Sequence, residues 1–167
     1  MNQKGLAAIF STLLYIFISL IVLAIVVPSA ITLISETREA GEYRTMLGVF
    51  YNVENAIDDV ISEKKELGLI IQNPGEIDFD CNNNIIIGTI NYKQKYRTDP
   101  QLIDKTIVYK NQNKIYFEYN LNNSNRIKLD CNNFYLTAGK KNININYSSY
   151  NDTNDNILVT ITQNSDN

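Results

Sequence analysis

The sequence predicts an α+β chain: one long N-terminal helix, transmembrane in its first part, followed by an antiparallel β-sheet or sandwich domain. Three observations predict it. Residues 6–34 carry no charge, and 23 of these 29 residues are hydrophobic. Beyond them apolar residues recur every three or four positions as far as Ile61, the period of an amphipathic helix. From Leu67 the period falls to two, the signature of strands with one buried face.

The apolar block comes first. About 20 apolar residues cross a bilayer as a helix, and a 29-residue helix would be about 43 Å long. A removable signal peptide has an apolar core of only about 7–15 residues, so this block is expected to stay with the mature chain. Lys4 lies before it, while Glu36, Arg38, Glu39 and Glu42 follow it. Positive charge stays cytoplasmic, which places the remainder of the chain outside.

The residues ahead of the block are Met1-Asn2-Gln3-Lys4-Gly5. A very short leader ending in Lys-Gly, followed at once by a long apolar helix, resembles the class III signal peptide of type IV prepilins. Bacterial members carry a Glu as the fifth mature residue. Here that position is Phe10, and many archaeal members also lack the Glu, so the archaeal form is the closer match. The resemblance implies cleavage between Gly5 and Leu6, with Lys4 as the preceding basic residue. It also implies a bend at Pro28, where the helix loses one hydrogen bond. It implies self-association into a filament through residues 6–34, a prepilin peptidase, and an assembly ATPase with its membrane platform. The chain would sit in the cell membrane before assembly and in a surface filament afterwards. A single-pass surface anchor that never polymerises, adhesin-like, is the alternative reading.

Tyr43, Met46, Leu47, Phe50, Val53, Ile57, Val60 and Ile61 form the stripe that continues the helix, with Glu54, Asp58 and Asp59 among the residues of its other face. One helix is expected from Leu6 to about Glu66, with residues 1–5 as leader and 67–167 as the exported β domain. Its stripe needs a partner, and the β domain is the obvious one.

Strands are expected at 76–80, 84–91, 106–110, 114–119, 126–130, 134–138, 142–146 and 156–162, with a short one at 67–72. Residues 102–105 read as a helical turn. The connections are short and rich in Asn, which tolerates positive φ and favours hairpins. No second helical pattern intervenes, so antiparallel meander pairing is expected.

Residues 77–83 and 127–133 share the pattern I-x-(F/L)-D-C-N-N. This suggests two equivalent hairpins with Cys81 and Cys131 at matching strand ends. In an exported chain the two cysteines would form one disulfide.

Asn122, Asn146 and Asn151 each open an Asn-x-Ser/Thr sequon beside an expected turn, where a glycan could be accepted. Residues 152–156 alternate oxygen ligands but lack the Gly and Glu of a calcium loop, so no metal is expected. Lys93-Gln94-Lys95-Tyr96-Arg97 is a small basic patch. Residues 67–167 hold ten acids and ten bases, so no nucleic-acid partner is expected. With no His, no Gly-rich phosphate loop and no converging carboxylates, neither catalysis nor a cofactor is expected.

Overall fold

Residues 3–93, 99–124, 126–151 and 155–164 are described by the computed structural model. Helix α1 spans Gln3–Glu63 and contains Pro28. Ten strands follow: β1 Glu66–Asn73, β2 Glu76–Asp80, β3 Ile85–Asn91, β4 Gln101–Ile103, β5 Thr106–Asn111, β6 Lys114–Asn120, β7 Ile127–Leu129, β8 Phe134–Leu136, β9 Gly139–Asn151 and β10 Asn156–Gln163. The chain divides into two compact units, Met1–Arg38 and Glu39–Asn167.

The first unit is helical throughout its described length. Its hydroxyls turn back onto the helix. Ser29 Oγ donates to the Ile25 carbonyl at 2.9 Å, and Thr32 Oγ1 donates to the Pro28 carbonyl at 3.0 Å. These bonds satisfy polar groups that apolar surroundings would leave stranded.

The second unit combines the rest of α1 with two sheets. One is four-stranded in the order β1-β9-β10-β7; the other is six-stranded in the order β4-β5-β6-β3-β2-β8. Alternation within strands sorts the side chains. In β2, Ile77 and Phe79 are buried while Glu76 and Asp78 are exposed. In β6, Ile115, Phe117 and Tyr119 are buried. Ile143, Ile145, Val159 and Ile161 of the four-stranded sheet join them in a single core with the α1 stripe.

The stripe lies on β3 and β6 of the six-stranded sheet. Tyr43 and Phe50 flank the Phe117 ring, at centroid distances of 5.5 and 5.9 Å. At Gly88 in β3 an added Cβ would stand 2.5 Å from Phe50 Cε2 and 3.0 Å from Met46 Sδ. The absent side chain is what lets the helix seat so closely on the sheet.

The structure corrects three expectations. Residues 102–105 do not form a helical turn: β4 pairs with β5, joined by Asp104-Lys105, with Asp104 at a φ of 52°. A two-residue loop with a left-handed Asp closes a hairpin more tightly than a helical turn can. The pairing is not wholly antiparallel, because β10 runs parallel to β7 through Ile157↔Ile127, Leu158↔Lys128 and Val159↔Leu129. A parallel pair needs a long connection, and β8 and β9 together supply it.

The two Asp-Cys-Asn-Asn segments are not equivalent hairpins. The first joins β2 to β3 within one sheet, whereas the second carries the chain from β7 in the four-stranded sheet to β8 in the six-stranded one. The residue after each segment decides this. Asn84 takes a φ of 60° and reverses the chain. Its counterpart is Phe134, a bulky residue for which that conformation is unfavourable; Phe134 instead extends into β8 and stacks on Phe79, with centroids 4.6 Å apart.

Two glycines give contrasting tests. Gly88→Val is expected to cost about 1–3 kcal/mol through overpacking against Phe50 and Met46. Gly48, in α1 with open space around it, should gain roughly 0.5–1 kcal/mol as Ala. Urea denaturation midpoints of the two variants should move in opposite directions.

Candidate functional site

The candidate site is the exposed apolar part of α1. Seventeen large apolar side chains between Phe10 and Ile34 stand exposed, from Val27 at 47% to Tyr15 at 70%. None of residues 10–34 is buried inside the chain. Soluble monomers rarely expose contiguous apolar patches beyond a few hundred Å². By length and composition this helix can cross a membrane; the apolar run places that capacity in its first half. Small residues Ser11, Thr12, Ser19, Ala24, Ser29 and Ala30 interrupt the surface, the residue types that allow close helix approach. Lys4, Gly5 and Leu6 lie within α1.

The cysteines form the Cys81–Cys131 disulfide, with Cα atoms 5.7 Å apart. It joins the turn after β2 to the segment after β7, and so ties one sheet to the other. Asparagines reinforce this junction. Asn84 Nδ2 donates to the Ile127 carbonyl and its Oδ1 accepts from Leu129 N–H, both at 2.8 Å. Its amide therefore pairs with β7 as a neighbouring strand would. Asp80 accepts from the side chain and backbone N–H of Asn83, at 2.6 and 3.1 Å, and from Asn133 at 3.2 Å. The Asn83 bonds in particular hold its carboxyl below the usual carboxylate range. Asn73, 1% exposed, donates to the Leu136 and Thr137 carbonyls at 3.1 Å and so links β1 to the six-stranded sheet. Sequence reasoning missed Asn73 and Asn84, because nothing distinguishes them from the other asparagines of a segment so rich in Asn.

The sequons differ in setting. Asn122 lies in the 3-10 turn Leu121–Ser124, where its Nδ2 donates to the Asn83 carbonyl at 2.8 Å. Asn146 is half-buried inside β9, between Glu66 of β1 and Thr160 of β10, and its Oδ1 is enclosed without a hydrogen-bond partner among the described residues. Asn151 ends β9, and its sequon partners Asp152 and Thr153 lie outside the described residues.

The other candidates do not assemble. In the calcium-like run, Asp155 accepts from the Tyr150 hydroxyl and pairs with Arg126 Nε at 3.4 Å, while residues 152–154 lie outside the described residues. In the basic patch, the Lys93 N–H donates to Glu39 at 3.0 Å, and residues 94–97 lie outside the described residues. Asp58 pairs with Lys105 at 2.5 Å. Among the described residues no group of three or more His, Cys, Asp or Glu could hold a metal ion.

Glu54, assigned above to the polar face, is only 5% exposed. It accepts a hydrogen bond from the Thr106 hydroxyl. Burial pushes its carboxyl above the usual carboxylate range, and the Thr106 bond offsets this only in part. Its position four residues after Phe50 and three before Ile57 was the available signal, outweighed by the expectation that an acid stays solvated.

Compared with protein-family models, curated proteins and solved structures, the chain matches none. Its function is therefore read from its own residues.

Two outcomes follow from these contacts. Removing the disulfide as Cys81→Ser/Cys131→Ser is expected to cost about 4 kcal/mol in the loop-entropy account of a 50-residue crosslink, read as a lower denaturant midpoint. The native protein should also show no titratable thiol before reduction. Glu54 folds preferentially protonated, so its contribution is complete below the ordinary Glu value and fades as pH rises through its raised folded value. Glu54→Gln retains an acceptor for Thr106 and removes that loss. Melting curves from about pH 3 to pH 8 should show the variant more stable than the parent near neutrality, with the difference vanishing in acid.

Proposed function

We propose that the chain is a structural subunit of an extracellular type IV pilus-like filament, polymerising through residues 6–34 after cleavage between Gly5 and Leu6. One observation carries this reading: an apolar helix segment of which the chain buries nothing itself. Such a surface needs a solvent. Lipid provides it before assembly. In a filament the same segments of neighbouring copies replace the lipid, and the small residues let those helices approach. Back-bonded hydroxyls such as Ser29 and Thr32 leave few unsatisfied polar groups to resist either environment.

The leader Met1–Gly5 supports processing by a prepilin peptidase, and the disulfide fits an oxidising compartment outside the cytoplasm. An assembly ATPase and its membrane platform are the partners that the prepilin resemblance implies. The β domain, with balanced charge beyond Leu67, would be displayed on the cell surface.

The mature N-terminus tests the proposal. Protein recovered from sheared cell-surface material should begin at Leu6, and Gly5→Phe should abolish both processing and filaments seen by electron microscopy. An intact Met1 on surface protein, with no filaments, would make the chain a non-polymerising surface anchor instead.

A further inference from the structure

We propose that β1 is a self-association edge, through which two copies of this chain pair antiparallel and join their four-stranded sheets into one. The inference is independent of assembly through the apolar helix.

β1 is bonded on one side only, being the terminal strand of its sheet. The direction of its free groups follows from the register. Tyr147 N–H donates to the Lys65 carbonyl at 3.3 Å, and the β1–β9 pairing continues without a shift from Glu66↔Asn146 to Asn73↔Gly139. Antiparallel bonds repeat every second residue. Residues 67, 69 and 71 therefore bond to β9, while Glu66, Gly68, Ile70 and Gln72 point their N–H and C=O groups away from it. Among the described residues no backbone group meets them.

The other sheet edges are short: β7, β4 and β8 have three residues each, whereas β1 has eight. Natural edges are blunted by Lys, Pro, bulges or brevity. β1 has none of these between Glu66 and Asn73; Lys65 and Pro74 stand just outside it.

The occupant that fits is a second β1. Placing a two-fold axis at Leu69 sets Gly68 opposite Ile70 of the other copy, and Glu66 opposite Gln72. Ile70 is 64% exposed. Gly68 leaves the space it needs, since an added Cβ there would meet only Asn144 Oδ1, at 3.4 Å. The charges agree as well. Antiparallel pairing holds each Glu66 against a neutral Gln72 and keeps the two carboxylates about 20 Å apart, whereas a parallel pair would stack them. All four outward-facing residues would then be satisfied, by about eight backbone hydrogen bonds.

The experiment uses the full chain in detergent. Leu69→Cys places two thiols opposite each other at a non-hydrogen-bonded pair, where Cβ atoms lie about 4.5–5.5 Å apart. Mild oxidation should give a covalent dimer, and adding Ile70→Lys, which alters only an exposed side chain, should reduce its yield at least tenfold. Failure to cross-link, or equal cross-linking with and without Ile70→Lys, overturns the proposal; contact through the apolar helix would give that second result. Hydrogen exchange of the unmodified chain provides a measurement free of substitutions. The amides of Gly68 and Ile70 should gain protection as concentration rises, while those of 67, 69 and 71 stay protected throughout. Rapid exchange of Gly68 and Ile70 at every concentration overturns it too.

Discussion

The seat of α1 on the six-stranded sheet is the contact on which the rest of the second unit depends. Met46 and Phe50 descend onto Gly88, and Phe50 and Tyr43 hold the Phe117 ring between them. Neither sheet alone could hide its apolar face from water. The helical stripe supplies the missing cover, and burial of such side chains stabilises by roughly 1.5–3 kcal/mol each. Because the stripe must face β3 and β6, the rotation of this stretch of helix about its own axis is fixed. That rotation carries Glu54 inward to Thr106 and leaves Asp58 outside to meet Lys105.

Holding two sheets around one core raises a second difficulty, since backbone groups at their junctions lack regular strand partners. Asparagine resolves it. Asn84 offers β7 the donor and acceptor that a neighbouring strand would, and Asn73 donates to the Leu136 and Thr137 carbonyls at the carboxyl end of β8. The Cys81–Cys131 bond then ties the same corner covalently. Some of the domain's many asparagines thus have a structural use at the junction of its sheets.

The two halves of α1 face opposite physical demands. The stretch beyond Glu39 is amphipathic and its apolar side is consumed within the chain. Residues 10–34 carry no charge and all of them are exposed. One helix therefore serves both as a core element and as a surface awaiting lipid or other copies. β1 offers a second incomplete surface of a different kind, with backbone groups in place of side chains.

By itself the sequence determined the helix, its apolar first part, most of the strands and the cysteine pair. These rest on local periodicity and composition, which a chain displays without folding. The α+β class was legible for that reason. Only the tertiary structure decided the rest: which strands share a sheet, the parallel β7–β10 pair, the crossing between sheets at Asp130–Phe134, and the roles of Asn73, Asn84 and Glu54. β1 and β9 illustrate the reason. They pair across 80 residues of sequence at Glu66↔Asn146 and 66 at Asn73↔Gly139. No local pattern encodes a partner at that distance, because strand pairing is chosen by the whole core that must close around it. The repeated Asp-Cys-Asn-Asn segment makes the same point at one position. Two nearly identical stretches part ways because Asn84 can adopt a left-handed backbone and Phe134 has a ring, Phe79, to pack against.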